Sequence, residues 1–188
     1  LVMFKDLITL FFGFSFIVSS TYIYNDILDL DSDQNHPTKK NRPLASNSVT
    51  LKFSLITSLI CFISGILIIS NLDSQIYYLI LFYVLMTFFY SKYGKYIKLL
   101  DLSLISILFI LRILLGSFVS GDKLSSYFLI FIFFMSFGIV AGKKISIKSN
   151  KIIENTKIKI FLNTKYTNKE LFLYLKFSFL LSTITFCF

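Results

Sequence analysis

The sequence predicts an all-α membrane protein, a polytopic bundle of about six transmembrane helices. Of its 188 residues, 55% are hydrophobic, and the mean hydropathy is +0.75. A soluble domain of this composition would expose large apolar patches and aggregate. The apolar residues also fall in runs of about 20, the length that a helix needs to cross a hydrocarbon core ~30 Å thick.

Six apolar segments of this length can be assigned along the chain, each as one helix. They lie at roughly 4–24, 50–70, 75–91, 99–120, 124–142 and 169–188. The strands of a membrane barrel are shorter and alternate strictly, so helices explain these segments better. The sequence begins and ends inside apolar segments. We therefore expect residues 1–188 to form a single integral domain that is incomplete at both ends.

The connections between the segments alternate in length and charge. Those near 71–75 and 120–124 are short, whereas those at 25–49, 92–98 and 143–168 are longer and hold, with their flanks, most of the 19 lysines and arginines. The positive-inside rule predicts that the basic loops face the cytoplasm. Orientation and contact with anionic lipids explain the net charge of +9, so we expect no nucleic-acid partner.

An acidic cluster follows the first apolar segment, in the stretch YIYNDILDLDSDQNHPTKKNRPLAS. On a helix that continues from that segment, Asp26, Asp29 and Asp33 fall on one face, one turn apart. Asn25 lies beside them and Asp31 points to the other side. Neighbouring carboxylates repel one another, and a cation relieves the repulsion. Oxygen ligands of this kind suit Mg²⁺ that also contacts substrate phosphates; the alternative interpretation is a solvated acidic helix end.

The residues after the acidic cluster include types that bind phosphate. Lys39 and Arg42 complement phosphate oxygens, although plain topological charges would look the same. His36 either donates to a phosphate or organises the His-Pro turn, and Asn25 either supports a metal or is a helix-end amide. The whole stretch predicts a phosphorylated substrate bridged by Mg²⁺ at the cytoplasmic end of the bundle.

A second polar group flanks the fourth predicted helix. Asp101 and Arg112 are eleven residues apart, so they share a helix face with ~16 Å between them along the axis. Arg112 then lies near mid-membrane, where a charge costs roughly 2.5–3.5 kcal/mol, and we expect a structural pairing with another helix. Asp101 lies at the cytoplasmic end near Lys95 and Lys98, where a role in the site is expected. Tyr90 is either a site residue or an interfacial anchor.

The acidic cluster resembles the first aspartate-rich motif, N-D-x-x-D-x-x-x-D, of the UbiA superfamily of intramembrane prenyltransferases. The continuation from His36 through Lys39 and Arg42 to Pro43 is similar to the H-P-x-K-x-x-R-P pattern of one branch, the decaprenyl-phosphate phosphoribosyltransferases. Asn47 stands where a glycine is usual in that branch.

The later polar residues resemble the same branch. The stretch YSKYGKYIKLLDLSLISILFILR has Tyr90, Lys95 and Asp101 at the spacing of that branch. Lys143, in AGKK, resembles part of the Gly-Lys-Arg that follows the fifth span of the family, although the acidic residue that usually comes shortly after is missing from ISIKSN.

The resemblance implies a UbiA-like bundle of about nine helices, of which about six are present here. It implies transfer of the 5-phosphoribosyl group from phosphoribosyl pyrophosphate (PRPP) to a polyprenyl phosphate such as decaprenyl phosphate, with release of pyrophosphate and a use of the product in cell-wall synthesis. Asp26, Asp29 and Asp33 are implied to be catalytic residues that hold the cofactor, Mg²⁺. The implied substrate-binding residues are Asn25, His36, Lys39, Arg42, Tyr90, Lys95, Asp101 and Lys143.

Two alternatives remain open at this point. In an aromatic prenyltransferase of the same superfamily, the aspartates would bind a prenyl diphosphate and the acceptor would be a ring such as 4-hydroxybenzoate. A non-enzymatic transporter or membrane subunit would use the intramembrane charges differently and would be insensitive to Mg²⁺. The sequence leaves the oligomeric state and the length of the lipid chain open.

Overall fold

The computed structural model describes residues 2–36, 38–149 and 164–187, and these ranges fold into helices and turns without strands. The predicted all-α class is confirmed. Six long helices and one short one follow in chain order. They are α1 (Val2–Leu28), α2 (Leu30–Gln34), α3 (Leu51–Ile68), α4 (Ser74–Lys92), α5 (Leu100–Ser120), α6 (Ser126–Ser149) and α7 (Asn168–Phe186).

Five of the long helices are long and apolar enough to cross a membrane, namely α1 and α3 to α6. The sixth, α7, begins at a capping box: the Thr167 hydroxyl accepts from the Glu170 backbone N–H, and the Glu170 carboxylate accepts from the Thr167 N–H at 2.9 Å. Lys169, Glu170 and Lys176 place three charged residues in the first half of α7.

Helices α1 and α3 pack with almost no space between their backbones. A Cβ atom at Gly65 of α3 would lie 2.6 Å from the Ile17 side chain and 2.7 Å from the Gly13 carbonyl oxygen of α1. Real Cβ atoms do not approach carbonyl oxygens so closely, so glycine is required at this crossing.

Two buried clusters hold the remaining helices. The larger one joins α1, α4 and α5 around Ile17, Tyr83 and Leu115. The smaller one joins α5, α6 and α7 around Leu102, Ala141 and other residues at the ends of these helices. Within a bilayer, close van der Waals packing in these clusters holds the helices together and fixes the relative positions of the helix ends that carry the polar residues.

The helix ends differ from the predicted boundaries at two points. Helix α1 continues four residues beyond the predicted end at 24, and α6 continues to Ser149 although a loop was predicted from residue 143. Ile145 explains the second difference, because it packs against the smaller cluster and extends the apolar face of α6. The rest of the predicted loop from 150 to 163, and Pro37, lie outside the described residues.

The C-terminal ends of α1, α4 and α6 meet the N-terminal ends of α5 and α7. We call this the basic end, defined by residues 25–50, 92–101, 143–149 and 164–170. Lys95 contacts Asp29, and Lys165 contacts the backbone carbonyl of Lys95, so segments distant in sequence meet there.

Candidate active site

The acidic motif, which comprises Asn25, Asp26, Asp29 and Asp33, lies at the junction of α1 and α2. Asp29 is the turn residue between the two helices, but its N–H still donates to the Asn25 carbonyl at 2.9 Å. The Asp33 N–H in turn donates to the Asp29 carbonyl at 2.8 Å. Because both bonds span four residues, Asp26, Asp29 and Asp33 keep the one-turn spacing that the sequence predicts, despite the break. Asp31 is exposed and Asp33 is buried, with 1% of its surface exposed.

Arg42 lies between two of the aspartates. Its Nη1 donates to Asp26 at 2.5 Å and to Asp33 at 2.9 Å, so one guanidinium nitrogen joins both carboxylates. Lys39 Nζ lies 3.3 Å from the other oxygen of Asp33. The two residues predicted to bind phosphate therefore neutralise the acidic motif in this structure.

The third aspartate, Asp29, has a partner from a distant part of the chain. Lys95, in the turn between α4 and α5, forms an ion pair and hydrogen bond with Asp29 Oδ1. The Asn25 side-chain amide donates to the other oxygen, Oδ2, at 3.2 Å. The second predicted stretch thus joins the first, and Lys95 and Asn25 lie beside the acidic motif as an active site requires.

His36 organises the turn after α2. Its Nδ1 accepts from the backbone N–H groups of Thr38 and Lys39, both at 3.2 Å. Burial, followed by the nearby Lys39 charge, holds the pKa of His36 below its usual value, which keeps the ring neutral and Nδ1 an acceptor. Of the two roles open for His36, the geometry of Nδ1 supports the turn.

Asn47 adopts a left-handed backbone conformation, with φ of 59°. Glycine adopts this region without cost, and asparagine is among the few other residues that visit it routinely. The conformation explains why asparagine can stand where the family usually has glycine.

The donor chemistry of the acidic motif fits Mg²⁺. Asn25 Oδ1 is buried without a hydrogen-bond donor, and Asp33 Oδ1 is buried with only the Lys39 ion pair at 3.3 Å. Carboxylate and amide oxygens are the ligands that this ion takes. In the described part of the chain no three acidic, histidine or cysteine side chains converge as a ready metal cage, and Arg42 lies between Asp26 and Asp33. A bound ion at these aspartates would therefore take the place of the Arg42 guanidinium.

A polar cavity of about 320 Å³ adjoins the motif between α1, α4, α5 and α6. Asn25, Tyr90 and Lys143 all line it, so it brings together three of the predicted substrate-binding residues. Arg112 lines it at its deeper side, further along α5 from the basic end.

Asp101 lies outside that cavity, in a buried cluster of its own. The carboxylate, 1% exposed, pairs with Lys144 at 2.6 Å and Lys165 at 2.7 Å and accepts from the Tyr166 hydroxyl at 2.5 Å. Burial and the bond to Asp101 raise the pKa of Tyr166 far above its ordinary value, so the hydroxyl remains a donor. The prediction that Asp101 lies near Lys95 holds only indirectly, because Lys165 also donates to the Lys95 carbonyl at 2.9 Å.

Sequence reasoning missed the partners of Asp101. Lys165 and Tyr166 are 64 and 65 residues away from Asp101. The sequence explains Lys165 only as a topological charge, and it explains Lys144 only by topology and by the resemblance of AGKK to the Gly-Lys-Arg of the family. Leu99 gave no signal either, although its φ of 65° with ψ of −39° is a positive-φ conformation that a leucine rarely adopts. Its N–H donates to the Tyr166 hydroxyl at 2.8 Å, so the Asp101 cluster also holds this strained turn.

Arg112 forms the interhelical pairing that the sequence predicts. Its Nη2 donates to Tyr83 of α4 at 2.7 Å and to Tyr22 of α1 at 3.1 Å, and its Nε donates to Tyr83 at 3.1 Å. The partners are hydroxyl groups; within the described residues Arg112 forms no ion pair.

The fold and site define a multi-pass helical membrane protein with paired carboxylates and cations at one end of its bundle. The model of the UbiA prenyltransferase family matches residues 2–155, and the chain belongs to this family. An uncharacterized protein, y4nM, of Sinorhizobium fredii is 34% identical over 131 residues, which cover 69% of this chain and 25% of the relative.

Decaprenyl-phosphate phosphoribosyltransferase of Corynebacterium glutamicum is 29% identical over 141 residues, which cover 74% of this chain and 42% of the relative. The chain thus spans 25% of the length of the first relative and 42% of the second, which is less than half of either. A solved UbiA homologue of Archaeoglobus fulgidus, bound to GPP and Mg²⁺, superimposes with a TM-score of 0.78 at 15% identity, over 96% of this chain and 63% of that one. This likeness confirms the UbiA-like fold.

Proposed function

We propose that the protein transfers the 5-phosphoribosyl group of PRPP to a polyprenyl phosphate such as decaprenyl phosphate, with Mg²⁺ as cofactor and pyrophosphate as the second product. The observation that carries the proposal is the joining of Asp26 and Asp33 by Arg42 beside a polar cavity lined by Lys143. Carboxylates for a metal and cations for phosphates are both needed by a substrate with a pyrophosphate and a 5-phosphate. The relative named decaprenyl-phosphate phosphoribosyltransferase supports this choice of substrates.

In this reaction an oxygen of the lipid phosphate forms a bond to the anomeric carbon of the ribose. The bond from that carbon to the pyrophosphate breaks, and pyrophosphate leaves with the electron pair. The attacking oxygen is already anionic, so the reaction needs no strong general base. The absence of a required base agrees with the state of His36, whose Nδ1 already accepts from two backbone N–H groups.

Asp26, Asp29 and Asp33 would hold the metal, which when bound supplies positive charge against the departing pyrophosphate. Arg42 and Lys39, released from the aspartates, are long enough to contact phosphate oxygens of PRPP. Lys95 lies beside the acidic motif through its ion pair with Asp29, so it is assigned to a substrate phosphate as well.

The remaining assignments concern the cavity and its surroundings. Asn25, Tyr90 and Lys143 line the cavity in which the ribose and the lipid phosphate would meet, so they are assigned to substrate binding. Asp101 is assigned a positioning role, because its buried cluster holds the backbone of Lys95 through Lys165. The basic end is proposed to lie on the cytoplasmic side of a bacterial inner membrane, and PRPP would enter the site from that side.

A second candidate function is aromatic prenyl transfer, favoured by the likeness to a fold solved with GPP and Mg²⁺. The same aspartates would then hold a prenyl diphosphate, and an aromatic acid such as 4-hydroxybenzoate would be the acceptor. Lys39 and Arg42 would again contact the diphosphate, so the substrates distinguish the two functions.

The test uses membranes that contain the protein, with labelled PRPP, decaprenyl phosphate and Mg²⁺. The proposal predicts label in the lipid phase that disappears with EDTA and with Asp29→Asn. Asp31→Asn is the matched control, because Asp31 belongs to the same acidic stretch but is exposed, and it should retain activity. Transfer of a prenyl group to 4-hydroxybenzoate without use of PRPP would refute the proposal and establish the second candidate. Neither activity in folded protein would refute both.

A further inference from the structure

Two consecutive residues just before α7 hold the turn that carries Lys95. Lys165 Nζ donates to the Lys95 backbone carbonyl at 2.9 Å, and the Leu99 N–H donates to the Tyr166 hydroxyl at 2.8 Å. We call residues 95–99 the Lys95 turn; it is the last part of the chain before α5. The two contacts lie at its two ends, so residues 70 and 67 positions further along the chain fix the turn on both sides.

Both holding groups are themselves fixed by one buried carboxylate. Lys165 Nζ donates to Asp101 Oδ2 at 2.7 Å, and the Tyr166 hydroxyl donates to Asp101 Oδ1 at 2.5 Å. The side chain of Lys165 is only 5% exposed, and Tyr166 is only 1% exposed. Water therefore compensates poorly for the loss of either contact with the Lys95 turn.

The Lys95 turn depends on this hold because its backbone is strained. Leu99 has φ of 65° and ψ of −39°, which a leucine rarely adopts. Strained residues persist only when the surrounding structure fixes them. Loss of the bond from Leu99 to the Tyr166 hydroxyl would therefore let Leu99 relax to an ordinary conformation and shift the backbone of Lys95.

The Lys95 turn places an ammonium group against the acidic motif. Lys95 Nζ pairs with Asp29 Oδ1, and the two side chains are 17% and 19% exposed. A lysine side chain is flexible, so the position of its ammonium group depends on a fixed backbone. Once Asp29 binds a metal, Lys95 loses this partner, and its backbone contacts must then keep the ammonium group in place.

We infer that Tyr166 and Lys165 are positioning residues, which act through the Lys95 turn to hold the Lys95 ammonium group where it binds a substrate phosphate. The inference rests on the proposed function, which assigns Lys95 to that phosphate. It makes the segment before α7 part of the site, although neither of its two side chains lines the polar cavity.

The test measures equilibrium binding of Mg²⁺-pyrophosphate, a product of the proposed reaction, to the purified protein in detergent by titration calorimetry. Tyr166→Phe keeps the packed ring and removes the hydroxyl that holds Leu99, so the Kd should rise roughly 5- to 30-fold. Lys165→Met removes the bond to the Lys95 carbonyl at the other end, and its Kd should rise by a similar factor. Circular dichroism at the helix band checks that each variant is folded, and either variant alone suffices for the test.

A double-mutant cycle separates positioning from a purely structural role. If Tyr166 acts through Lys95, adding Tyr166→Phe to Lys95→Met should change the Kd further by less than about twofold. Tyr166→Phe should nevertheless lower the Tm equally in both backgrounds, because the packing of its ring does not depend on the Lys95 side chain.

Lys98→Met is the matched control for these variants. Lys98 also joins the Lys95 turn to α7, through a bond to Glu170 at 2.7 Å. That bond lies at the surface and involves side chains only, so its loss leaves the backbone of the turn in place. The Kd of Lys98→Met should stay within about twofold of the unmodified protein.

Three results would overturn the inference. An unchanged Kd in either Tyr166→Phe or Lys165→Met, with a weaker Lys95→Met, would leave only the assignment of Lys95 standing. Equal losses from Tyr166→Phe with and without the Lys95 side chain would show a general structural effect. An unchanged Kd in Lys95→Met would overturn the inference together with the role assigned to Lys95. The expected pattern of binding in a protein that fails to use PRPP would refute the proposed function and leave this inference standing, because pyrophosphate binding is measured without transfer.

Discussion

Replacing Asp101 by asparagine tests the buried cluster at the basic end. Asparagine keeps the size of the side chain and an oxygen for the Tyr166 hydroxyl, but it removes the carboxylate charge that pairs with Lys144 and Lys165. The two lysine side chains are only 16% and 5% exposed, so water compensates poorly for the lost carboxylate. Removal of one partner from a buried ion pair costs ~3–5 kcal/mol. For a chain of this size the expected fall in Tm is about 6–20 °C.

The assay is thermal unfolding of the purified protein in detergent, followed by circular dichroism at the helix band. Asp31→Asn is the control of equal chemistry at an exposed position, and its Tm should stay within about 1 °C. Adding Lys144→Met to Asp101→Asn should recover part of the loss, because one of the two stranded cations is then removed. A Tm of Asp101→Asn within about 1 °C of the unmodified protein would show that this carboxylate does not neutralise buried lysines.

Three further predictions concern other parts of the molecule. Gly65→Ala should cost about 1–3 kcal/mol of unfolding free energy, because the added Cβ would lie 2.7 Å from a backbone carbonyl oxygen of α1. The control is Gly116→Ala, whose Cβ meets nothing within 4 Å and which should leave the Tm unchanged; equal Tm values for the two variants would contradict the packing of α1 against α3. Lys95→Met should lower the initial rate of the proposed transfer at limiting PRPP roughly 10- to 100-fold. The control is Lys92→Met, at an exposed position, which should change this rate less than about twofold; similar rates for the two variants would show that Lys95 does not belong to the site. His36→Ala should lower the free energy of unfolding by about 1–2 kcal/mol, and His36→Asn should lose much less, since an amide oxygen can accept from the same N–H groups. Equal stability of the two variants would exclude the role of His36 in the turn.

The lowered pKa of His36 also gives the last prediction a pH dependence. The fold favours the neutral ring, so the stability that it contributes is present above pH 6.5, the ordinary pKa of histidine, and is lost as the pH falls through the lower pKa of the folded state. Unfolding measured from pH 8 to pH 5 should show this loss in the unmodified protein and not in His36→Asn.

The sequence was sufficient to predict the number and positions of the long helices, because a bilayer requires about 20 apolar residues for each crossing. It also predicted that Asp26, Asp29 and Asp33 share a side, since helical spacing survives the break at Asp29. The end of α6 could not be predicted from hydropathy, because Ile145 lies in the lysine-containing stretch KKISIK and its helix depends on packing against the smaller cluster.

Pairing between distant segments was beyond the reach of the sequence. The joining of Arg42 to Asp26 and Asp33 depends on how the turn around His36 folds back over α1. The partners of Asp101 depend on how the residues just before α7 pack against the start of α5, which no local pattern encodes. A single sequence identifies charged residues, but ion pairs between remote segments follow from tertiary structure.

The distance along the chain between Asp101 and its partners also has a consequence for biosynthesis. Helix α5 is made 64 residues before Lys165 and 65 before Tyr166, which at ~5–20 residues per second is a delay of roughly 3–13 s. Throughout that interval the carboxylate lacks two of its partners, and the positive-φ turn at Leu99 lacks the hydroxyl that accepts its N–H. Closure of the basic end must therefore wait for the start of α7 to leave the ribosome, so a nascent chain arrested before that point would carry the complete acidic motif, while the turn at Leu99 that follows Lys95 is not yet anchored.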